Sequence, residues 1–276
     1  LHILNGEPAR SREVLEDSLD RLAQRRNTAP IDLFLHIGLL ICSGEAALEM
    51  EDSRHAREYA RRASVLLQQE DHSRLRANLH VLRARIKSSG RRPLWNEALA
   101  ELAEAERLHR SIGDGDRLWI HARVALERAK LHVHRRDLRA ALASAVECME
   151  MAQATQFVPM QARSLLLQSQ LLLQQEMPGA DRLYEEVLRS LGAVKDPVIL
   201  FKVIANLYFY TWHLEGNLDL TDCHLKQIHK MAQVLDRKTF DELYERHVCR
   251  RVARRFFAHA FGGDRAAPGN WAADEP

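Results

Sequence analysis

Fourteen histidines and four cysteines in a chain of 276 residues put metal chemistry first among the readings to weigh. Two ligands on one face of a helix must stand three or four residues apart. His132 and His134 stand two apart, and His224 and His229 stand five apart, so neither pair converges on one ion. Glu106-Arg107-Leu108-His109 has the E-x-x-H spacing that di-iron bundles use in duplicate, but no second copy occurs. Gly113-Asp114-Gly115-Asp116 lacks the later glycine and the Lys-Ser/Thr pair that would cradle phosphates. There is no H-E-x-x-H, G-x-S-x-G or EF-hand loop. Acidic pairs such as Glu101 with Glu104, or Glu185-Glu186, alternate with arginine, as on a solvated helix face. Catalytic carboxylates need an enclosing cleft to shift their pKa values. The pattern implies no enzyme, no metal site and no cofactor.

Cys42, Cys148, Cys223 and Cys249 show no C-x-x-C spacing and are expected to be buried, reduced thiols, which fits the cytoplasm. Forty basic against thirty-eight acidic residues leave a net charge of +2, so no global field argues for nucleic acid or a membrane surface. The longest apolar run, Ile37 to Cys42, is far short of the roughly 18 residues of a membrane helix. The chain starts at Leu1 with no basic-then-apolar leader and reads as a soluble piece or processed form of something longer. Arginine outnumbers lysine 33 to 7, which reads as the imprint of a GC-rich genome.

The elements that must position any site are helices. The 41 leucines and 35 alanines far exceed the 29 valines, isoleucines and threonines together, and glycine plus proline are too few for a sandwich or barrel. The alanines are also periodic. Ala141, Ala145 and Cys148 form an i, i+4, i+7 stripe. The same triplet occurs as Ala56, Ala60, Ala63; as Ala98, Leu102, Ala105; as Ala180, Tyr184, Val187; and as Thr221, Leu225, Ile228. Successive first members lie 42, 43, 39 and 41 residues apart. Each triplet follows a break, at Asp52-Ser53, Gly90 to Pro93, Arg136-Asp137, Pro178-Gly179 and Gly216-Asn217. Ahead of each break another amphipathic segment carries a small residue near its middle: Gly44, Ala84, Ala129, Ser169 and Ala205. Small residues let crossing helices approach within about 8–9 Å, and stacked pairs share one core.

The expected architecture is therefore all-α, with about five helix-turn-helix hairpins. Residues 1–30 hold an N-terminal helix near Ser11 to Gln24, with Val14, Leu15, Leu19 and Leu22 as its apolar side. Residues 31–236 hold the hairpins. Residues 237–261 form a C-terminal capping helix opened by the box Thr239-Phe240-Asp241-Glu242, and 262–276 a disordered tail.

The run Ser111-Ile112-Gly113-Asp114 into a helix, then Ala129 to Asp137 and Ala141 to Cys148, resembles the tetratricopeptide repeat family in its variety of about 40 residues. The resemblance implies a TPR-like α-solenoid whose concave wall is lined by the first helix of each hairpin. Long-unit arrays of this kind occur in bacterial regulators beside NTPase, DNA-binding or nucleotide-cyclase modules. Projecting outward from the small residues names the groove candidates. They are Asn78 and Arg85; Arg123, Glu127, Lys130 and His134; Arg163, Gln170 and Gln174; and Lys202, Asn206, Phe209 and Tyr210. Lys202 and Asn206 have the spacing of the Lys-Asn pair in family members that clamp a carboxylate. Phe201, Tyr208, Phe209, Tyr210 and Trp212 are the densest aromatic cluster, most of it expected in the core.

In the last helix Arg246, Arg250 and Arg254 form one basic stripe and Arg251 and Arg255 a second, beside Val248, Val252, Phe256 and Phe257. The function expected is a non-catalytic, regulatory repeat module. It would bind a protein or peptide partner or a small effector, as part of a larger bacterial signalling or transcription-regulating protein. The alternatives are a self-association module, with a homodimer, and a nucleic-acid-binding regulator using the basic last helix.

Overall fold

The computed structural model describes residues 8–23, 30–68, 72–89, 93–110, 114–174, 179–212 and 216–253. Among them twelve α-helices follow one another without a strand. They are α1 (Pro8–Ala23), α2 (Pro30–Glu49), α3 (Ser53–Leu66), α4 (Ser73–Ser88), α5 (Trp95–His109), α6 (Asp114–His134), α7 (Leu138–Ala154), α8 (Val158–Leu171), α9 (Ala180–Ser190), α10 (Pro197–Tyr210), α11 (Leu218–Lys230) and α12 (Arg237–Tyr244). The protein is an all-helical, repeat-like fold in which neighbouring helices pack consecutively.

Several of the helix starts share one chemistry. A carboxylate or amide oxygen just before the first turn accepts a backbone N–H that the helix itself cannot satisfy. Asp52 accepts from His55 at 3.1 Å, Asp137 from Ala140 at 3.1 Å, Asp196 from Val198 at 2.8 Å, and Asn217 from Leu220 at 3.1 Å. Three of these caps follow directly on a left-handed residue: Glu51 (φ 60°), Arg136 (φ 60°) and Gly216 (φ 68°). A left-handed residue ends one helix and returns its orphaned carbonyls to use; Asp52 N–H, for instance, reaches back to the Ala47 carbonyl at 2.8 Å. The same two-residue reversal thus introduces α3, α7 and α11, each separated from the next by two periods of the alanine pattern.

The small-residue stripes fall on α3, α5, α7, α9 and α11. Ala56, Ala63, Ala98, Ala105, Ala141, Ala145 and Cys148 are all fully buried. Their counterparts Gly44, Ala84, Ala129, Ser169 and Ala205 lie on α2, α4, α6, α8 and α10 and are also buried. In the fifth stripe His224, not Leu225, takes the most buried place between Thr221 and Ile228.

The chain divides into two compact units, one built on α1–α6 with the end of α7, the other on the first part of α7 with α8–α12. In the first, α2 packs on α4 and α4 on α6, while α3 and α5 pack against the same row. Its core runs from Ile37, Leu40 and Leu82 to Val81, Leu102 and Ile120, each contributing about 1.5–3 kcal/mol by leaving water. In the second, α10 is packed by α8, α11 and α12 around Phe201, Ile228, Met231 and Val248. Ser164 Oγ donates to the Ala145 carbonyl at 2.7 Å, a contact that a larger side chain on the stripe would obstruct.

Several expectations require correction. Val14 is half exposed, so the apolar side of α1 is Leu15, Leu19 and Leu22. The last helix opens at Asp236, which accepts from Thr239 N–H at 3.0 Å; Thr239 is the capped residue and not the cap. That helix passes through a π turn at Glu245–Cys249 before continuing to Ala253. Of the cysteines only Cys148 is buried, while Cys42 and Cys223 are exposed and Cys249 is intermediate. The run Ser111 to Gly113, and everything beyond Ala253 including the tail, lies outside the described residues. No helix among the described residues is long and apolar enough to cross a membrane.

Gly44 shows the packing constraint most sharply. A Cβ built there would stand 2.6 Å from Leu82 Cδ2, and Leu82 is itself fully buried; at Gly38, one helix face away, a Cβ meets nothing within 4 Å. Alanine is favoured over glycine in a helix by about 1 kcal/mol, and overpacking costs about 1–3 kcal/mol. Gly38→Ala should therefore raise the urea midpoint and Gly44→Ala lower it. Equal shifts would contradict the close approach of α2 and α4.

Candidate functional site

On the row formed by α2, α4 and α6 the groove candidates of the first unit come together. Arg123 on α6 reaches across α4: one guanidinium nitrogen donates to Asn78 Oδ1 at 2.7 Å and the other pairs with Glu45 on α2. Arg85 on α4 holds Glu49 of α2 at 2.6 Å and approaches Glu127 of α6 at 3.8 Å. Lys130 holds Glu127 at 2.8 Å from the next turn of α6. Arg123 also lies over the Trp119 ring at 4.8 Å, and His134 stacks on Trp95 at 5.0 Å. Glu45, Glu49 and Glu127 thus balance Arg85, Arg123 and Lys130 along one wall.

These groups are crowded by protein but not sealed from water. Glu127 and Glu45 each keep 14% of their side-chain surface exposed and Arg85 16%. Burial alone would raise the Glu127 carboxyl, but Lys130, Arg85 and Arg123 outweigh it and bring it down to about 2. Burial alone would lower the Arg85 guanidinium, and Glu127, Glu49 and Glu45 instead hold it above its ordinary value. Cys42 is one turn before Glu45 on α2; its thiol is pushed up to about 11 by desolvation and by the Glu45 charge, although its side chain is exposed. At the wall's end, burial and then Lys130 lower the His134 imidazole.

The candidates in the second unit are placed differently. Arg163, Gln170, Gln174 and Lys202 are half-buried. Asn206, Phe209 and Tyr210 are buried, not on a solvated wall. Asn206 donates to Ser169 Oγ at 3.0 Å and accepts from Arg251 at 2.8 Å, so both ends of its amide are engaged. Tyr210 donates to Asp181 at 2.9 Å and stacks on Tyr184, whose hydroxyl meets His224 Nε2 at 2.8 Å. Burial lowers the His224 imidazole. The cause of the misplacement is α10 itself: Pro197 to Tyr210 is apolar nearly all round, and from Val203 to Tyr210 every residue is buried.

The basic face is divided. Arg246 and Arg250 are exposed, and Arg250 lies 3.5 Å from Glu245. Arg251 is buried, with its guanidinium 5.6 Å over the Phe209 ring. The π turn closes with an i→i+5 bond, Arg250 N–H donating to the Glu245 carbonyl, and Arg251 stands three and four residues after the buried Val248 and His247, on the side of the helix that faces the core. Beside it, desolvation and then the charges of Lys202, Arg251 and Arg246 bring the His247 imidazole down to about 3. Arg254 and Arg255 lie outside the described residues.

Glu45 and Glu49 are the members of this row that sequence projection missed. Glu45 follows Gly44 as Arg85 follows Ala84, so the same projection applied to α2 reaches them. Among the described residues no three His, Cys, Asp or Glu side chains gather around a point where a metal could sit. In the E-x-x-H segment Glu106 is 3.3 Å from Arg128 while His109 is buried against His121. Compared with protein families, curated proteins and solved structures, the chain matches none.

The wall makes an acid-sensitivity prediction. Glu127, and likewise Glu101 held by hydrogen bonds from His80 and Lys87 against its burial, titrate at about 2 in the fold, against an ordinary 4.5. A depressed carboxyl stabilises the fold fully above the ordinary value and loses that contribution as pH falls toward the folded value. Urea unfolding should therefore show stability falling from about pH 5 to pH 2. Glu127→Gln should be about 1 kcal/mol less stable at pH 6, since it removes the carboxylate that Lys130 and Arg85 share, and should have a shallower acid slope. An unchanged slope would contradict the network.

Proposed function

We propose that this chain is a non-catalytic recognition module of the tetratricopeptide kind. In this reading it holds a peptide or protein partner, or a small effector, against the wall of α2, α4 and α6. Through it the chain would regulate a larger bacterial signalling or transcription-regulating protein. The observation that carries the reading is the row Glu45, Glu49, Arg85, Arg123, Glu127 and Lys130, joined through the buried Asn78, fixed by mutual hydrogen bonds and ion pairs yet with its charged groups still reached by water.

The physical argument concerns what a partner has to displace. Groups already half-desolvated and held in place lose little further solvation or freedom when a partner covers them. Both charge signs and an amide along one row suit an extended segment, whose backbone and side chains offer donors and acceptors in alternation. A nucleic-acid reading has less support, because Arg251 is buried against Phe209 and Arg250 has Glu245 beside it. No observation favours self-association over partner binding.

Peptide display against the intact chain tests the reading. Enriched peptides should carry both charge signs, and their affinity should fall at least tenfold in Lys130→Glu and in Glu49→Lys while the circular dichroism is unchanged. Peptides that bind both variants as well as the parent would exclude the wall as the recognition surface.

A further inference from the structure

The face of α4 opposite Asn78 and Arg85 borders a second feature. A cavity of about 360 Å³ opens between α3, α4 and α5, lined by Arg57, Ala60, Arg61, Ser64 and Val65 of α3, by Arg83, Ile86 and Lys87 of α4, and by Glu101 of α5. Its volume lies in the range of small-molecule sites, about 300–1,000 Å³. The α3 residues recur at i, i+3, i+4, i+7 and i+8, so one stripe of that helix forms a whole side. The apolar part of the lining is Ala60 and Ile86, both buried, with the exposed Val65 beside them.

Charge on the lining is one-sided. Four cations face one carboxylate, and not all of them are engaged. Arg61 is held by Glu58 at 2.7 Å and Lys87 by Glu101 at 2.9 Å. Arg83 donates to a neutral hydroxyl, Ser64 Oγ, at 2.8 Å. Among the described residues neither Arg57 nor Arg83 has a carboxylate partner. A guanidinium presents five donors in a planar fork, so a single bond to serine leaves both its charge and most of its donors available.

We propose that this cavity binds a small organic monocarboxylate, its carboxylate shared by Arg57 and Arg83 and its apolar body laid on Ala60, Val65 and Ile86. Bidentate guanidinium–carboxylate pairing supplies the orientation, and the apolar part of the lining supplies the apolar contact. An organic monocarboxylate fits better than inorganic phosphate, because phosphate has no apolar body to lay against the apolar part of the lining. The site stands on the opposite face of α4 from the recognition wall and does not depend on that reading.

Calorimetric titration of the intact chain with 4-phenylbutyrate, with uncharged 4-phenylbutanol and with inorganic phosphate tests the proposal. The acid should bind saturably and at least tenfold more tightly than the alcohol. Phosphate should not displace it at equal concentration. Arg57→Glu, an exposed position, should weaken the acid at least tenfold, and Arg83→Gln, which keeps a donor for Ser64, should do the same. Arg110→Glu, an exposed reversal outside the cavity, and Lys130→Glu on the wall should change it less than twofold. No saturable binding, equal binding of acid and alcohol, or indifference to Arg57→Glu would overturn the site. Displacement by phosphate would overturn the assignment to a monocarboxylate.

Discussion

Everything else in this protein depends on how closely neighbouring helices can approach. Where Gly44 of α2 meets Leu82 of α4 there is no room for even one more carbon. The fully buried alanines of α3, α5 and α7 imply the same tight seams. Close seams leave no space for side chains between helix backbones, so larger residues are pushed to the flanks of each helix. The apolar ones fill the cores around Leu40, Leu102 and Phe201, and the polar ones are pressed into rows.

The row on α2, α4 and α6 follows from that geometry. Helices that lie close bring Glu45, Asn78 and Arg123 within one hydrogen-bond chain although they are distant in sequence. The charges balance within the row, and this is why Glu127 can remain ionised while largely covered. The opposite face of α4 has the reverse character, with a cavity over the Ala60 stripe and arginines that are not fully neutralised. One helix thus separates a self-satisfied surface from one with charge to spare.

How much of this was legible in the sequence depended on whether helical period alone decides the outcome. The stripes were legible: Ala141, Ala145 and Cys148 repeat at helical spacing, and small size has one physical use there. Asp52, Asp137 and Asn217 were likewise signalled, since each breaks the pattern at the start of a stripe. Asn206 was not, because outward projection assumes that one side of a helix meets water, and from Val203 to Tyr210 every residue of α10 is buried. Its near-continuous apolar run, Pro197 to Tyr210, was the signal that could have shown this. Arg251 was misplaced because its charge was read as a solvated face, although its spacing of three from Val248 puts it on the apolar side of the helix. Cys42 and Cys223 were misjudged because cysteine burial is a tendency of the residue type, whereas exposure is set by the helix face.

The central claim is that the periodic small residues are the seams that hold consecutive helices together. It is tested most directly by changing alanines singly to leucine, which has high helix propensity, and measuring denaturant unfolding. Ala60, Ala105 and Ala145 lie on the seams, while Ala100, Ala103 and Ala143 lie on the exposed sides of the same kind of helix. Leucine at the first three should cost about 1–3 kcal/mol each, and at the second three no more than about 0.5 kcal/mol. Equal losses in the two sets, or losses confined to the exposed set, would contradict the claim.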